Sequence, residues 1–334
     1  MNNFKKVGIS ALAGSLAMLS VNADIVLTGS SEMTYASNSG STGGASATTG
    51  NPFGMSHDIN IIGSGELDNG FTYSVKTNFV AGQSMATDSS ILKLDMGDLG
   101  TLGFDQGVGA FGISTLENKV PTAYEQADHM VGSLEHGIDV AGNTNVIGYS
   151  NTVSGVGISL EINPSAPGAA SDFNSAGAGA NTVKTGSNWN MALTSALPGI
   201  DGLTLAAGYS ETDNIGTATD NTEITAAANY TMGAVTVGYQ QSDVNNNGGS
   251  LGARVTAYGI AFNVNENFSV SYSINDNEKT NAGSAHVTEE SKGYQAAYSM
   301  GSASVRLAIN SADNVDGTVG VTADNTELSL ALAF

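Results

Sequence analysis

The sequence has no cysteine, so a disulfide framework and thiolate metal sites are excluded. It has one Trp and five Pro in 334 residues. Basic residues are scarce: ten Lys and Arg stand against 31 Asp and Glu. Two of those ten, Lys5 and Lys6, lie in the first 23 residues and every acid lies after them, so residues 24–334 carry a net charge of −23. A chain that acidic is repelled by phosphate backbones, which excludes nucleic acid as a partner. After the N-terminal segment, no run reaches the roughly 18 apolar residues of a spanning helix.

What the first 23 residues do contain is orderly. Lys5 and Lys6 are followed by an apolar run from Val7 to Val21 and a small residue, Ala23. That is the layout of a secretory signal peptide, and the expected cleavage leaves a chain starting at Asp24. The expected organisation is a cleaved signal over 1–23 and one domain over 24–334.

The rest of the chain is rich in Gly (43) with many Asn, Ser and Thr, a composition that alone would suit disorder. Its apolar residues are too regularly placed for that. Period two recurs, the signature of strands with unlike faces. In "FTYSVKTNF", Phe71, Tyr73, Val75 and Phe79 alternate with Thr72, Ser74, Lys76 and Asn78. In "ILKLDMG", Leu92, Leu94 and Met96 alternate with Lys93 and Asp95, and in "SVRLAIN" Val305, Leu307 and Ile309 alternate with Arg306. The same holds for "VGISLEI" and "FSVSYSI".

Connections alternate in length. Tight turns are expected at 68–70, 98–100, 154–155, 199–202, 232–233, 265–267 and 301–302, and long polar loops between them, such as 37–56, 164–187, 211–222 and 242–253. Seven turns and eight loops make sixteen strands. A sheet edge in lipid would leave backbone groups unpaired, so the sheet is expected to close. The expected fold is all-β: a closed, sixteen-stranded antiparallel transmembrane β-barrel, with short periplasmic turns and long extracellular loops. A soluble sandwich or solenoid adhesin is the alternative that period two alone leaves open. The final strand, "TELSLALAF", places Leu328, Leu330, Leu332 and Phe334 on the outward face. Tyr and Trp189 on the outward parity are expected to band the lipid face.

The chain resembles the general porins of Gram-negative bacteria, especially alphaproteobacterial ones. The resemblance is carried in order by "DIVLTGSSEMTY", "INIIGSGELDNGFTYSVKTNF", "LKLDMGDLGTLGFDQG", "VPTAYEQAD" and the terminal aromatic. It implies an outer-membrane homotrimer of barrels that passes small polar solutes and ions by diffusion. It also implies that Leu328, Leu330, Leu332 and Phe334 form the signal read by the barrel-assembly machinery.

The longest connection, about 107–145, carries Glu117, Glu125, Asp128, Glu135 and Asp139 together with apolar anchors Phe111, Leu116, Val120 and Tyr124. It is read as a third loop folded into the pore. Lys76, Lys93 and Arg306 have inward parity and are expected to face its acids as neighbours across the barrel seam, setting up a transverse field and a mild preference for cations. An outer-membrane structural barrel or adhesin that binds partners through its loops is the alternative function.

Other patterns carry less. "GVGAFG" at 107–112 fits G-x-G-x-x-G but lacks a strand–turn–helix context, and "GGSLG" at 248–252 fits G-x-S-x-G inside an Asn-rich loop. No convergent set of Asp, His and Ser suggests an enzyme, and no cofactor is expected. The four histidines, His57, His129, His136 and His286, read as solvated loop residues. Asp243, Asp313 and Asp316 lie in oxygen-rich segments and are the candidates for loop-bound Ca²⁺.

Overall fold

The structure is a computed structural model that describes residues 24–40, 51–81, 85–131, 144–164, 187–213, 220–245, 252–279 and 287–334. The expected signal segment, Glu135, Asp139, His136, His286 and most of the "GGSLG" segment lie outside these residues.

Among the described residues there are sixteen strands, each paired antiparallel to its neighbours in sequence, and β1 (Asp24–Gly40) pairs with β16 (Thr322–Ala333) to close the barrel. Between them run β2 (Phe53–Glu66), β3 (Thr72–Ala81), β4 (Met85–Asp95), β5 (Thr101–Gln106), β6 (Thr144–Val153), β7 (Val156–Asn163) and β8 (Asn188–Ala196). The second half is β9 (Leu203–Thr212), β10 (Asn221–Met232), β11 (Val235–Asn245), β12 (Ala253–Asn263), β13 (Phe268–Lys279), β14 (Glu289–Met300) and β15 (Ala303–Asp313). Closure leaves no edge, which is the condition for strands in a hydrocarbon layer. The seam extends to the last residue: the Gly29 N–H donates to Phe334 O at 2.8 Å and the Phe334 N–H returns to Gly29 O at 2.9 Å.

The seven tight turns stand at one end. Ser154 and Gly155 both have positive φ (53° and 83°), the backbone of a two-residue type I′ hairpin. The connection from β3 to β4 differs from the expected long loop. Pairing runs up to Ala81 opposite Met85, so three residues intervene. The first loop is also shorter than 37–56, because β1 continues to Gly40 and β2 starts at Phe53.

Parity assigns the faces. Leu328, Leu330 and Leu332 point outward with Met33 and Tyr35 of β1 and Val305 and Leu307 of β15, and the three leucines are 48%, 37% and 48% exposed. Aromatic pairs lie on the same outer surface: Tyr239 with Tyr258 at 5.3 Å, Tyr272 with Tyr294 at 4.7 Å and Trp189 with Tyr209 at 5.3 Å between centroids. His57 is in β2, opposite Ser31 on the outward face, and so is not the solvated loop residue expected. The strands form one closed sheet, with no second sheet among the described residues to pack an apolar core against it. The buried apolar clusters form where loops meet the inner wall: Ile113 and Leu116 on Ala192, and Val131 with Ala312, Val315 and Ala323.

Candidate functional site

Residues 107–131 cross the inside of the barrel. A backbone there cannot leave its polar groups unpaired against a protein wall. An inward-facing carboxylate, amides and hydroxyls meet that demand, strand by strand. Asp105 on β5 accepts the N–H of Val108 (2.7 Å) and of Ala110 (2.8 Å). Ser159 on β7 accepts the Gly112 N–H and Asn190 on β8 accepts that of Ile113 (2.8 and 2.9 Å). Gln240 on β11 donates to Leu116 O at 2.7 Å and accepts from the Lys119 N–H at 2.8 Å, while Asn229 on β10 donates to Lys119 O at 2.6 Å. Farther along, Ser271 on β13 accepts the Ala123 N–H, Gln295 on β14 accepts that of Tyr124, and Asn310 on β15 donates to His129 O.

Glycine on the wall makes room for the loop's apolar side chains. A Cβ on Gly103 would lie 2.4 Å from the Phe111 ring, and one on Gly148 2.0 Å from it. Gly238 and Gly259 do the same for Pro121 and Val120. Phe111 and Leu116 are each 1% exposed.

The loop ends its circuit at the seam in a polar cluster. Tyr124 Oη lies 2.5 Å from Glu327 Oε1 and 3.0 Å from Glu32 Oε1, with one proton to share between them. Arg306 Nη2 is 2.6 Å from Glu32 Oε1, and its guanidinium carbon is 4.3 Å from the centre of the Tyr124 ring. His129 Nε2 is 3.4 Å from Glu327 Oε2. That hydrogen bond raises the His129 pKa above the ordinary imidazole value, against a smaller opposing effect of burial. Burial raises the Glu125 carboxyl, with His129 pulling the other way. Burial and the hydrogen bond to Glu327 both raise the Tyr124 phenol.

Several expected site residues are placed differently. Arg306 is not a free wall base beside Lys76 and Lys93. Three strands, β16, β1 and β2, separate β15 from β3, and the Arg306 charge is taken up by Glu32. Asp128 is 6% exposed and accepts from Asn275 Nδ2 at 2.8 Å, so it is held against the β13 wall. Lys76 on β3 and Lys93 on β4 do share one inward patch. Lys76 is in register with Ile91, and Lys93, one inward position along β4, lies 5.6 Å over the Phe111 ring. Glu117 is exposed and Glu125 half-buried on the loop. Glu32, Glu327, Gln240 and Gln295 were not singled out from sequence. Inward parity on their strands was the one signal that could have found them.

Among the described residues, Asp243, Asp313 and Asp316 do not gather into one carboxylate cluster. Asp243 Oδ1 is 2.7 Å from Arg254 Nε, on the outer surface, which satisfies its charge without a metal. Asp313 ends β15, and Asp316 sits in a short 3-10 turn (Val315–Gly317) with its N–H on Glu289. Among the described residues, the carboxylates that do converge are Glu211, Asp213 and Asp220, whose oxygens lie within 4.8 Å of one another. The "GVGAFG" segment runs along the loop into a 3-10 turn (Gly112–Leu116) with no helix for a phosphate.

A closed barrel of sixteen strands with a polar inner wall, an apolar and aromatic outer surface and a chain segment laid across its interior defines a membrane channel protein. The family model for Gram-negative porins matches residues 9–334, and the chain belongs to that family. It is an outer-membrane channel family. Similar solved structures include Salmonella typhi OmpF in complex with daunomycin (12% identity, 93% of this chain and 97% of that one, TM-score 0.64). The anion-selective porin from Comamonas acidovorans is similar at 14% identity (93% and 100% covered, TM-score 0.64). A mutant of Rh. blastica porin matches at 17% identity (93% and 100% covered, TM-score 0.58). The comparison with curated proteins returned no match.

Proposed function

We propose that this channel lets small hydrophilic solutes and ions diffuse passively, with a mild preference for cations, and that residues 107–131 of the 107–145 connection form its constriction. The observation that carries the reading is the hydrogen-bonded path of residues 107–131 along the inner wall from β5 round to β16 and β1. On the neighbouring arc of the inner wall stand Lys76 on β3 and Lys93 on β4, the latter meeting the loop at its root 5.6 Å over the Phe111 ring. Fixed charges at a narrow, partly desolvated place outweigh distant ones, because salt screens over about 8 Å. Glu117 and Glu125 supply the negative side. Lys76 and Lys93 supply the positive side, and Arg306, paired with Glu32, adds little to it. The net charge of −23 over residues 24–334 provides the background. An anion-selective porin shares the fold, so the sign of selectivity rests on these side chains and not on the barrel.

The reading includes export by the segment 1–23, delivery of the barrel to the assembly machinery through Leu328, Leu330, Leu332 and Phe334, and a homotrimer in the outer-membrane lipid. The trimer is supported by polar groups on one arc of the outer surface. Ser31 and His57 face outward opposite each other on β1 and β2, and Thr77 faces outward on β3 beside Ile61. A polar side chain facing hydrocarbon is costly, and a protein neighbour relieves the cost. Stepwise conductance increments of purified protein in a planar bilayer test the channel. A tight barrel with no increments would overturn it.

A further inference from the structure

Between the loop and the turns, the lumen has two unlike sides. Charged inward-facing side chains gather on β1–β4: Glu32, Asp58, Lys76 and Lys93. On β6–β14 the inward wall below the loop is small and uncharged. Thr152, Thr194, Thr204 and Asn229 line one recess, roofed by Lys119. Thr152 and Thr194 continue into a second, lined also by Thr101, Thr115, Ser150 and Ser159, with Asp95 at its β4 edge. Their volumes, about 400 and 490 Å³, fall in the ~300–1,000 Å³ range of ligand pockets. Nearer the turns the face carries on through Thr231 and Thr236, whose hydroxyls are 3.0 Å apart, to Asn263, Ser269 and Ser299. The acids of this arc that point inward, Glu161, Glu223 and Glu289, stand toward the long-loop end and are 1%, 6% and 1% exposed.

We propose that this wall is a track for neutral polyhydroxylated solutes, sugars and polyols, separate from the charged side that ions follow. The inference rests on the channel reading above. A Ser or Thr hydroxyl both donates and accepts, as does each hydroxyl of such a solute. Inward side chains recur about every 6.8 Å along a strand and about 4.8 Å across strands, so a solute changes partners in small steps. Each bond replaces one to water at little net gain, which keeps any single position weak. Passage requires binding of that kind: favourable enough to enter, too weak to hold. A charged wall would instead order water and counterions and compete with an uncharged solute. Gly157, Ala206 and Ala227 between the hydroxyls leave the width for it.

The test uses the purified full-length protein in liposomes and in planar bilayers, with glucose and KCl as probes. Replacing Thr152→Val, Thr194→Val and Thr204→Val together keeps shape and removes three hydroxyls. Glucose entry, read by liposome swelling, is expected to fall about fivefold while KCl conductance stays within about a quarter of wild type. Serine at the same positions is expected to keep the wild-type ratio of glucose entry to salt conductance. Heat-modifiable mobility on a gel identifies folded barrel; if the triple variant does not insert, Thr194→Val alone is expected to lower the ratio about twofold. An unchanged ratio in the valine variants, or an equal loss in the serine variants, overturns the inference and leaves the channel standing. A wild-type protein that passes neither salt nor glucose overturns the channel reading itself.

Discussion

The Arg306 guanidinium lies 2.6 Å from a carboxylate oxygen of Glu32, tying β15 to β1 across the closing strand β16. The same guanidinium lies under the Tyr124 ring, so one residue joins the seam to the tip of the internal loop. Replacing Arg306→Met leaves Glu32, beside Glu327 and Tyr124, without its guanidinium partner, and His129 on Glu327 as the basic group that remains in the cluster. Removing one partner of a buried pair costs about 3–5 kcal/mol, and about 1–3 kcal/mol is expected here because roughly a quarter of each side chain remains in water. The heat needed to convert the compact barrel to unfolded chain in SDS should fall. An Arg306→Lys variant should recover part of it, and an unchanged transition in Arg306→Met would contradict the anchoring role.

The loop should hold more firmly in mild acid. His129 binds its proton more tightly in the folded protein than in the unfolded chain, because Glu327 accepts its N–H. A raised pKa of this kind contributes stability that is complete below the unfolded value near ~6.5 and is lost as pH rises through the folded value. Burial raises Glu125 as well, so its charged form weakens the docked loop above the ordinary carboxylate range. Both groups act in the same direction. Current noise in an open single channel is expected to increase from pH 6 to pH 8, and His129→Gln should flatten that trend. Noise that grows toward acid would show that the sign is wrong.

Alternation in the sequence was enough for the strands, their faces and the closed barrel, because parity in a strand determines which way each side chain points. The tight turns were legible for a similar reason: Gly155 and Gly70 stand where φ is positive. Depth and partnership were not legible. Parity showed Arg306 pointing inward but could not place Glu32 beside it, since the two meet only once the barrel closes. Asp128 looked like its loop neighbours in sequence, and only the path of the loop turns it toward Asn275. The amide side chains that hold the loop, Asn190, Gln240 and Gln295, have no spacing of their own. They are set by where a backbone happens to pass.

At the other end of the seam, the Phe334 ring lies over Gly29, where an added Cβ would come within 2.6 Å of the ring and 2.8 Å of Asp58 O. Gly29→Val should therefore slow barrel closure, and deletion of Phe334 should lower the amount of heat-modifiable barrel in the outer membrane while export continues. Fractionation followed by unheated gels measures both. A Phe334 deletion that assembles at the wild-type level would remove this residue from any role in assembly.

Phe111 fills the space over Gly103 and Gly148 and fixes the root of the loop. Phe111→Ala should cost about 3–5 kcal/mol at that contact and let the loop move from the wall. Single-channel records should then show additional conductance levels. Gly148→Leu should give the same levels by expelling the ring. A single, unaltered level in both variants would mean that the loop root does not set the aperture.

Ion selectivity tests the central claim most directly. In a KCl gradient across a planar bilayer, the reversal potential of the wild-type channel is expected to have the sign of a cation-preferring pore, and Glu117→Gln with Glu125→Gln should move it toward anions. Neutralising Asp213 and Asp220, at the outer loop end, should move it far less. A wild-type channel with the anion sign, or a double variant whose reversal potential does not move, would contradict the assignment of the constriction.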